Sequence, residues 1–227
     1  VKTVAELEEQ GIDPDILIAW TTGSHIFAED AVEFCLKSKN LKWIHGLSAG
    51  VECITYSKVC ERPGLRLTNS KGIHGIPISE HVLGFMLYEA RQLGRIKANQ
   101  QVGKWERFIP NELNGHTLTI LGMGAIASDV AKRAKAFGMT VLGVKRTVIP
   151  IENVDEVLPE SKMDEAIARA DYLVDLLPAT DETKNTMDAR RFALMKNGAY
   201  FINVGRGVTV DTDALLDALR SGKLAGA

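Results

Sequence analysis

Residues 117–127 read Thr117-Leu118-Thr119-Ile120-Leu121-Gly122-Met123-Gly124-Ala125-Ile126-Ala127, and no other part of the chain indicates its fold as clearly. The stretch begins as a run of apolar and β-branched residues, which predicts a buried strand, and then turns at two glycines. Residues 128–137 follow with a helical pattern that stops at Gly138. A strand, a tight glycine turn and a helix in this order point free backbone N–H groups and the positive end of a helix dipole at a pyrophosphate. We therefore expect a dinucleotide to bind at this turn.

Each small residue of the turn has its own predicted role. Gly122 permits the tight turn, Gly124 lets the backbone approach the phosphates, and Ala127 keeps the helix close to the strand, at a position where the fingerprint accepts Gly or Ala. The N–H groups of Ala125 and Ile126, in the first helical turn, complete the predicted phosphate-binding set. The alternative interpretation is a glycine turn with a purely structural role.

The size and composition are those of an ordinary globular protein. A chain of 227 residues suits one large or two small domains, and 45% hydrophobic and 25% charged residues are typical values. The net charge of −2 gives no basic field for nucleic acid, and no run of Lys and Arg has the length of a basic tract. No apolar stretch reaches the ~18 residues of a membrane span, and no signal peptide is visible. We expect no nucleic-acid partner, no membrane insertion and a cytoplasmic protein.

The cysteines and histidines predict no metal site. Three cysteines, Cys35, Cys53 and Cys60, are odd in number and lack a Cys-x-x-Cys spacing, which favours a reduced, cytoplasmic setting over a disulfide framework. The five histidines form neither a His-x-His nor a His-x-x-x-His pair.

Predicted strands alternate with predicted helices along the whole chain. In the first part the pattern predicts strands over 15–20, 41–47 and 65–68 and a helix over 29–37. One long amphipathic helix is expected over 78–101, with Ser79 as its N-cap, as a connector between two domains. Beyond it the pattern predicts strands over 118–121, 140–144, 172–176 and 199–204, and helices over 128–137, 162–168, 189–195 and 212–220.

This alternation is typical of βαβ units, which form a parallel sheet with right-handed crossovers. We therefore predict an α/β protein with a Rossmann-type doubly wound parallel sheet and a second, smaller, flavodoxin-like α/β domain. The predicted domains are a substrate-binding domain over 1–71 and a dinucleotide-binding domain over 72–227.

The second strand of the predicted dinucleotide domain ends in two cations. In a Rossmann unit this strand usually ends, about 20 residues after the glycines, in an acid that binds the ribose 2′-hydroxyl. Here Lys145 lies 23 positions after Gly122 and is followed by Arg146. Two cations at this point could grip a 2′-phosphate, so we favour NADP(H) as the cofactor. The alternative is a solvated basic strand end, with NAD(H) still bound through its pyrophosphate.

A second glycine-rich turn follows the strand predicted over 199–204, and it reads Asn203-Val204-Gly205-Arg206-Gly207. Ligands of open parallel sheets bind at the carboxyl edge, and an arginine framed by glycines there can approach a ligand and clamp a carboxylate with two hydrogen bonds. On position alone, an ordinary surface arginine is the competing interpretation.

Several motifs, in a fixed order, extend the pattern over essentially the whole chain. They are Leu47-Ser48-Ala49-Gly50-Val51-Glu52, Asn69-Ser70-Lys71-Gly72, Ser79-Glu80-His81-Val82-Leu83, Gly103-Lys104-Trp105, the turn at 122–127, Leu177-Pro178-Ala179-Thr180-Asp181-Glu182-Thr183 and Ile202-Asn203-Val204-Gly205-Arg206-Gly207. This ordered set closely resembles the D-isomer-specific 2-hydroxyacid dehydrogenases, a family that includes glyoxylate/hydroxypyruvate reductases and 3-phosphoglycerate dehydrogenases.

The resemblance implies hydride transfer between the nicotinamide C4 and C2 of a small 2-oxo or D-2-hydroxy acid. It assigns Arg206 as a catalytic residue that binds the substrate carboxylate and polarises the reacting carbonyl. It places backbone N–H groups of Ala49, Gly50 and Val51 on the other side of that carboxylate. Four further residues match positions that line the cofactor cleft or approach the nicotinamide: Pro178, Thr183, Val204 and Gly205.

The sequence also departs from the family pattern. The family's acid after the second strand is replaced by Lys145, and its catalytic histidine and paired glutamate lie downstream of the Arg206 strand, whereas this sequence stops at Ala227 before either. The chain also begins at Val1 without the family's first strand. We interpret it as most of such an enzyme, incomplete at both ends, and predict that residues 1–227 bind cofactor with little turnover.

The same family resemblance implies a homodimer, and the sequence leaves other functions to be weighed. The long helix from Ile78 is expected to carry part of a homodimer interface, as in relatives. A second hypothesis is a cofactor-sensing interaction protein or corepressor of the same fold that performs no turnover. A sugar epimerase is disfavoured because no Tyr-x-x-x-Lys pair follows the fingerprint.

Overall fold

The computed structural model describes residues 3–19, 29–50 and 58–227. The chain divides into two compact units, Val1–His74 and Gly75–Ala227, so the division lies close to the boundary predicted between residues 71 and 72. That the first unit binds substrate and the second binds the dinucleotide stays a prediction.

The first unit contains a small parallel sheet. Its elements are α1 (Val4–Glu9), β1 (Ile16–Ala19), α2 (Glu29–Lys37), β2 (Trp43–Gly46), a 3₁₀ turn (Lys58–Glu61) and β3 (Arg66–Asn69). The strands lie in the order β1-β2-β3 and both pairs are parallel. Its described core is a cluster of six buried residues: Ala19, Phe34, Cys35, Leu41, Ile44 and Val59. The α/β class of this unit agrees with the prediction, and its flavodoxin-like topology stays a prediction.

The second unit contains two helices followed by a six-stranded sheet and its crossover helices. Its elements are α3 (Gly75–Ala90), α4 (Leu93–Gln101), β4 (Thr117–Leu121), α5 (Ala125–Ala136), β5 (Thr140–Val144), β6 (Glu156–Leu158), α6 (Met163–Arg169), β7 (Tyr172–Asp175), α7 (Ala189–Leu194), β8 (Ala199–Asn203), α8 (Thr212–Arg220) and β9 (Leu224–Gly226).

The strand order of this sheet is β6-β5-β4-β7-β8-β9, and every pair is parallel. This is the Rossmann order, which confirms the predicted doubly wound sheet. The chain leaves β4 toward β5 and β6 on one side and later returns to build β7, β8 and β9 on the other. The strand order therefore reverses between β4 and β7, and ligands of this fold bind in the crevice at that point.

Both faces of the sheet are covered, because strand β4 buries residues on each side. Leu118 and Ile120 pack in the cluster that includes residues of α3 and α5, whereas Leu121 packs in the cluster that includes residues of α6, α7 and α8. The hydroxyl of Thr119 is also buried and donates to the carbonyl of Ala166 at 2.9 Å, so its burial leaves no donor unsatisfied. Burial of each large apolar side chain stabilises the fold by about 1.5–3 kcal/mol.

The single helix predicted over 78–101 is wrong. The structure has α3 and α4, separated at Gln92, whose φ of 52° lies in the left-handed region and ends a helical path. Ser79 is not an N-cap: it lies inside α3, fully buried, and its hydroxyl donates to the carbonyl of Ile76 at 2.8 Å. The short strands β6 and β9 were not anticipated.

Candidate functional site

The turn after β4 needs glycine at its first position. Gly122 has a φ of 90°, which side-chain-bearing residues rarely adopt. A Cβ atom there would also lie 3.0 Å from the carbonyl oxygen of Leu176, in the segment that follows β7. The N–H of Gly122 donates to the carbonyl of Val144 at 3.1 Å, so the turn is held against the end of β5 as well.

The second glycine of the turn faces open space. A Cβ atom on Gly124 would have no atom within 4 Å, and Gly124 and Ala125 are both exposed. Helix α5 begins at Ala125 with no side-chain cap from the described residues, while Ala127 is fully buried beneath it. The uncapped first turn and the clear space above Gly124 fit a pyrophosphate, which accepts hydrogen bonds from such N–H groups.

Two cations lie at the end of β5. Lys145 is partly buried, and its backbone N–H donates to the carbonyl of Leu158 at 3.0 Å, which fixes the start of its side chain. Arg146 has an exposed side chain whose Nε lies 3.6 Å from a carboxylate oxygen of Glu160. Because this ion pair is long and exposed, it contributes little to stability and leaves the guanidinium accessible to a ligand.

The segment after β7 forms a hydrogen-bonded turn. The hydroxyl of Thr183 donates to the carbonyl of Pro178 at 2.5 Å and accepts from the N–H of Thr180 at 2.9 Å. Pro178 is exposed and Thr183 partly buried. The two predicted cofactor-cleft residues are therefore parts of one turn at the carboxyl end of β7.

The arginine turn after β8 is fixed through its backbone. Asn203 accepts from the N–H of Gly205 at 2.9 Å and donates from its side-chain amide to the carbonyl of Arg206 at 3.0 Å. The N–H groups of Val204 and Gly205 both point at the carbonyl of Asp175, at 3.2 and 3.1 Å. The partly buried Arg206 donates from Nη1 to the carbonyl of Gly205 at 3.1 Å. The backbone that carries the guanidinium thus has little freedom.

The structure brings the two glycine-rich turns to the same place in the second unit. A Cβ atom on Gly205 would lie 2.9 Å from the carbonyl oxygen of Leu177, just as one on Gly122 would approach Leu176. The turns after β4 and β8 therefore flank the end of β7 from opposite sides. The predicted phosphate-binding turn and Arg206 lie at the same carboxyl edge of one sheet.

A buried acid at this edge was missed by the sequence analysis. Asp175 is fully buried at the end of β7, and its two carboxyl oxygens contact the N–H of Leu177 at 2.9 Å and the hydroxyl of Thr209 at 2.6 Å. Burial raises the pKa of this carboxyl, against the lowering effect of the two hydrogen bonds. The available signal was a charged residue inside the otherwise apolar run 173–177.

The remaining predicted substrate-binding residues belong to the first unit. The side-chain amide of Asn69 donates to the carbonyl of Ala49 at 2.7 Å, and the hydroxyl of Ser48 donates to the carbonyl of Gly50 at 2.6 Å. Ala49 and Gly50 are therefore held in a turn after β2. Val51 lies outside the described residues.

The described parts of the chain contain no group of three or more His, Cys, Asp or Glu residues that could hold a metal ion. Cys35 is buried, and desolvation raises the pKa of its thiol to about 11, whereas Cys60 is exposed and Cys53 lies outside the described residues. A search of the described helices finds none with the length and apolar character needed to cross a bilayer.

Comparison with known sequences gives one family for the second unit. Residues 83–227 match the family model described as "D-isomer specific 2-hydroxyacid dehydrogenase, NAD binding domain". The D-3-phosphoglycerate dehydrogenase of Methanocaldococcus jannaschii is 34% identical over 99% of this chain, and the hydroxypyruvate reductase of Thermotoga maritima is 33% identical over 82% of it. The alignments cover 42% and 60% of those two proteins, so the chain spans less than two thirds of the curated relatives it matches.

Solved structures give the same result. A D-isomer specific 2-hydroxyacid dehydrogenase family protein from Aeromonas salmonicida superimposes with a TM-score of 0.86 at 35% identity, covering 96% of this chain and 68% of that one. A dehydrogenase of the same description from Xanthobacter autotrophicus, in complex with NADPH and MES, gives 0.74 at 28% identity, covering 92% and 64%. D-lactate dehydrogenase from Aquifex aeolicus, complexed with NAD and lactic acid, gives 0.77 at 29% identity, covering 99% and 65%.

Proposed function

Because the chain belongs to the D-isomer specific 2-hydroxyacid dehydrogenase family, we propose that the whole protein is an oxidoreductase of small 2-oxo and D-2-hydroxy acids. The observation that carries this proposal is the meeting of the two turns: Gly122 and Gly205 both approach the end of β7, and Arg206 follows directly. A dinucleotide held at the first turn would lie beside the cation of the second.

The matched family model is that of an NAD-binding domain, so the cofactor class is a nicotinamide dinucleotide. When bound, such a cofactor supplies the hydride. We propose that the N–H groups of Ala125 and Ile126 hold its pyrophosphate, because the first turn of α5 has no side-chain cap and is open. Gly124, whose own N–H donates to the carbonyl of Gly122 at 3.2 Å, would let the backbone approach the phosphates. The rest of the dinucleotide would lie along the carboxyl edge of the sheet, against four residues: Pro178, Thr183, Val204 and Gly205.

We propose that Arg206 binds the substrate carboxylate and polarises the carbonyl at C2. A guanidinium can donate two parallel hydrogen bonds to a carboxylate, and a fixed cation stabilises the negative charge that develops on the carbonyl oxygen as hydride arrives. The backbone bonds from Asn203 and to Asp175 hold this cation in advance, so little reorganisation is needed during the reaction. Ala49, Gly50 and Val51 are proposed to contact the same carboxylate.

The activity is tested on the full-length protein with NADPH and a panel of glyoxylate, hydroxypyruvate, pyruvate and larger 2-oxo acids. Arg206→Gln is expected to lower kcat/KM by about 100-fold or more, with the Kd of NADPH little changed. Arg220→Gln, at an exposed guanidinium in α8, is the matched control and keeps wild-type turnover. The proposal is wrong if the wild-type protein consumes neither NADPH nor NADH with any of these acids.

We further propose that the preferred cofactor is NADP(H), because Lys145 and Arg146 stand where an acid would bind the ribose of NAD(H). Lys145→Ala is expected to weaken NADPH binding by roughly tenfold or more and to leave NADH binding nearly unchanged, since a charge-assisted hydrogen bond contributes about 1.5–3 kcal/mol. Lys223→Ala, one residue before the edge strand β9 and on the other side of β4 from β5, is the control. A wild-type protein that binds NADH more tightly than NADPH would refute this preference.

The non-catalytic alternative remains a separate hypothesis that the same assay decides. The five similar proteins above carry the names of dehydrogenases or reductases, and none of those names describes a corepressor. We therefore favour the enzyme. Tight NADPH binding without turnover on any 2-oxo acid by the full-length protein would support the cofactor sensor instead.

A further inference from the structure

Three oxygen atoms line up between β7 and the arginine turn. Oγ1 of Thr209 lies 2.6 Å from a carboxyl oxygen of Asp175 and 2.7 Å from the carbonyl oxygen of Arg206. Asp175 and Thr209 are both fully buried. The other hydrogen-bond partners of their side chains are the N–H of Leu177 and the amide of Asn203. The arrangement connects the end of one strand, through one hydroxyl, to the residue that carries the proposed substrate-binding cation.

We propose that Asp175 and Thr209 are positioning residues for Arg206, and that Asp175 acts in its neutral, protonated form. The inference rests on the proposed function, since it concerns the guanidinium assigned to the substrate carboxylate. The protonated carboxyl donates to the Thr209 hydroxyl, which in turn donates to the carbonyl of Arg206. The hydroxyl thereby adds a short hydrogen bond at 2.7 Å to a carbonyl that also accepts from the amide of Asn203 at 3.0 Å and from the N–H of Thr209 at 3.2 Å.

Counting protons favours the neutral form. The Thr209 hydroxyl has one proton, but it makes two short contacts with oxygen atoms that both accept hydrogen bonds when Asp175 is ionised. One of those contacts would then lack a proton. A protonated Asp175 supplies the missing one, and the two contacts become consecutive hydrogen bonds.

The electrostatic surroundings agree with this count. Within the described residues, the side chain of Asp175 forms hydrogen bonds with the N–H of Leu177 and the hydroxyl of Thr209 and no ion pair with Lys, Arg or His, and burial raises its pKa. A buried carboxylate without a cationic partner is costly, whereas the neutral acid loses little by burial when both of its oxygens are hydrogen-bonded. The other oxygen of Asp175 accepts from the N–H of Leu177 in either form.

The test compares Thr209→Val, which removes the hydroxyl and keeps the shape, with Thr209→Ser, which keeps the hydroxyl. In the full-length protein, Thr209→Val is expected to lower kcat/KM for the 2-oxo acid by about 10- to 100-fold, because a small displacement of an orienting group costs this much. The Kd of NADPH should change less than about twofold, and Thr209→Ser should restore turnover. A merely structural role predicts instead that Tm and NADPH affinity fall together with turnover.

The protonation state has its own variants. Asp175→Asn resembles the neutral acid, because its amide can donate to Thr209 while its oxygen accepts from Leu177. It should retain activity within a few-fold of wild type, whereas Asp175→Ala should behave like Thr209→Val. Equal losses in Asp175→Asn and Asp175→Ala would overturn the neutral form.

A second measurement separates this inference from the proposed function. The side-chain Nε–H resonance of Arg206, observed by NMR in the NADPH-bound protein, should be shifted or broadened by Thr209→Val and unchanged by Thr209→Ser. If the wild-type protein is inactive but this resonance responds, the proposed function fails and the positioning of Arg206 stands. If the protein is active and Thr209→Val alters neither turnover nor the resonance, the positioning role is wrong and the function stands.

Discussion

Gly122 and Gly124 are two residues apart, yet the structure itself requires glycine only at the first of them. Gly122 has a left-handed backbone and a carbonyl oxygen 3.0 Å from the place of a Cβ atom, so its requirement belongs to folding. Gly124 has an ordinary extended φ of −102° and open space around it, and we propose that glycine is needed there for the bound pyrophosphate and not for folding. The two glycines therefore have separate predicted roles, Gly122 in folding and Gly124 in ligand binding.

The first prediction uses this difference. Gly122→Ala is expected to lower the free energy of unfolding by about 2 kcal/mol or more, because a side chain in a left-handed conformation and a close backbone contact both cost energy. Gly124→Ala, at the N-cap of α5, should cost no more than about 1 kcal/mol of stability but weaken NADPH binding at least roughly tenfold, since its methyl group would occupy the space proposed for the phosphates. Urea unfolding and NADPH titration measure the two effects. The assignment is wrong if Gly124→Ala binds NADPH like wild type.

The glycine turn and the Gly-Arg-Gly sequence were recognisable because their meaning is local: turn, strand end and helix start lie within a few residues. The pair of Asp175 and Thr209 was not recognisable, because its partners are brought together only by the pairing of β7 with β8 and the turn after it. An acid in an apolar run marks such a residue as unusual, but the sequence does not indicate what satisfies it.

At the scale of elements, an ion-pair cluster joins α6 to α7. Asp164, in the first turn of α6, accepts from Arg190 Nη1 at 2.5 Å and from Arg191 Nε at 2.9 Å. The hydrogen bond from Arg190, followed by that from Arg191, holds the pKa of Asp164 below its ordinary value of 3.8. Because the pKa is lower in the folded state, the stabilisation is present above pH 3.8 and is lost as the pH falls through the folded-state value.

The second prediction follows from the lowered pKa of Asp164 in the folded state. Asp164→Asn should lower the free energy of unfolding at neutral pH by up to about 1 kcal/mol, a modest value because the cluster is partly exposed. The difference from wild type should shrink toward zero in acid, as Asp164 itself becomes protonated. Glu165→Gln, on the same helical turn with only longer ion pairs at 3.7 and 3.9 Å, is the control and should show a smaller effect. A deficit that does not depend on pH would argue against the ion-pair explanation.

The elements themselves were predicted where the pattern is long and regular. The four buried strands β4, β5, β7 and β8 were all found, because apolar runs covered on both faces are distinctive. Edge strands β6 and β9 have three residues each, too few for a pattern. The break between α3 and α4 was missed because the apolar spacing continues across Gln92. The interruption comes from the left-handed backbone of this one residue, which the spacing does not reveal.

At the scale of the molecule, the second unit has a much larger core than the first. Two clusters of eighteen buried residues each surround its sheet, whereas the described part of the first unit has a cluster of six.

The third prediction is that residues 75–227, produced alone, unfold in one cooperative transition. NADPH at about 100 times its Kd should stabilise this fragment by about 2.7 kcal/mol, measured by urea unfolding. A fragment without a cooperative transition would show that the sheet depends on the first unit.

The fourth prediction concerns the homodimer, which remains a proposal. In the second unit, Trp105 and Ile109 are 89% and 93% exposed, and Phe85 and Tyr88 of α3 are also exposed. Because large exposed apolar side chains are typical of protein–protein interfaces, we propose that a second copy of the chain covers these residues. Ile109→Asp should convert a dimer into a monomer by light scattering, while Val148→Asp, at another exposed apolar residue, should not. A wild-type monomer at high concentration would refute the proposal.

The position of β4 in the middle of the sheet has a consequence for synthesis on the ribosome. Leu118 pairs with Val141 on one side but with Tyr172 on the other, so the second edge of the strand stays open until β7 has emerged. At about 5–20 residues per second, the nascent chain exposes this apolar edge for several seconds. Premature products that end before β7 would keep it permanently and should be captured by chaperones or aggregate, even though the glycine turn that marks the fold is already present in them.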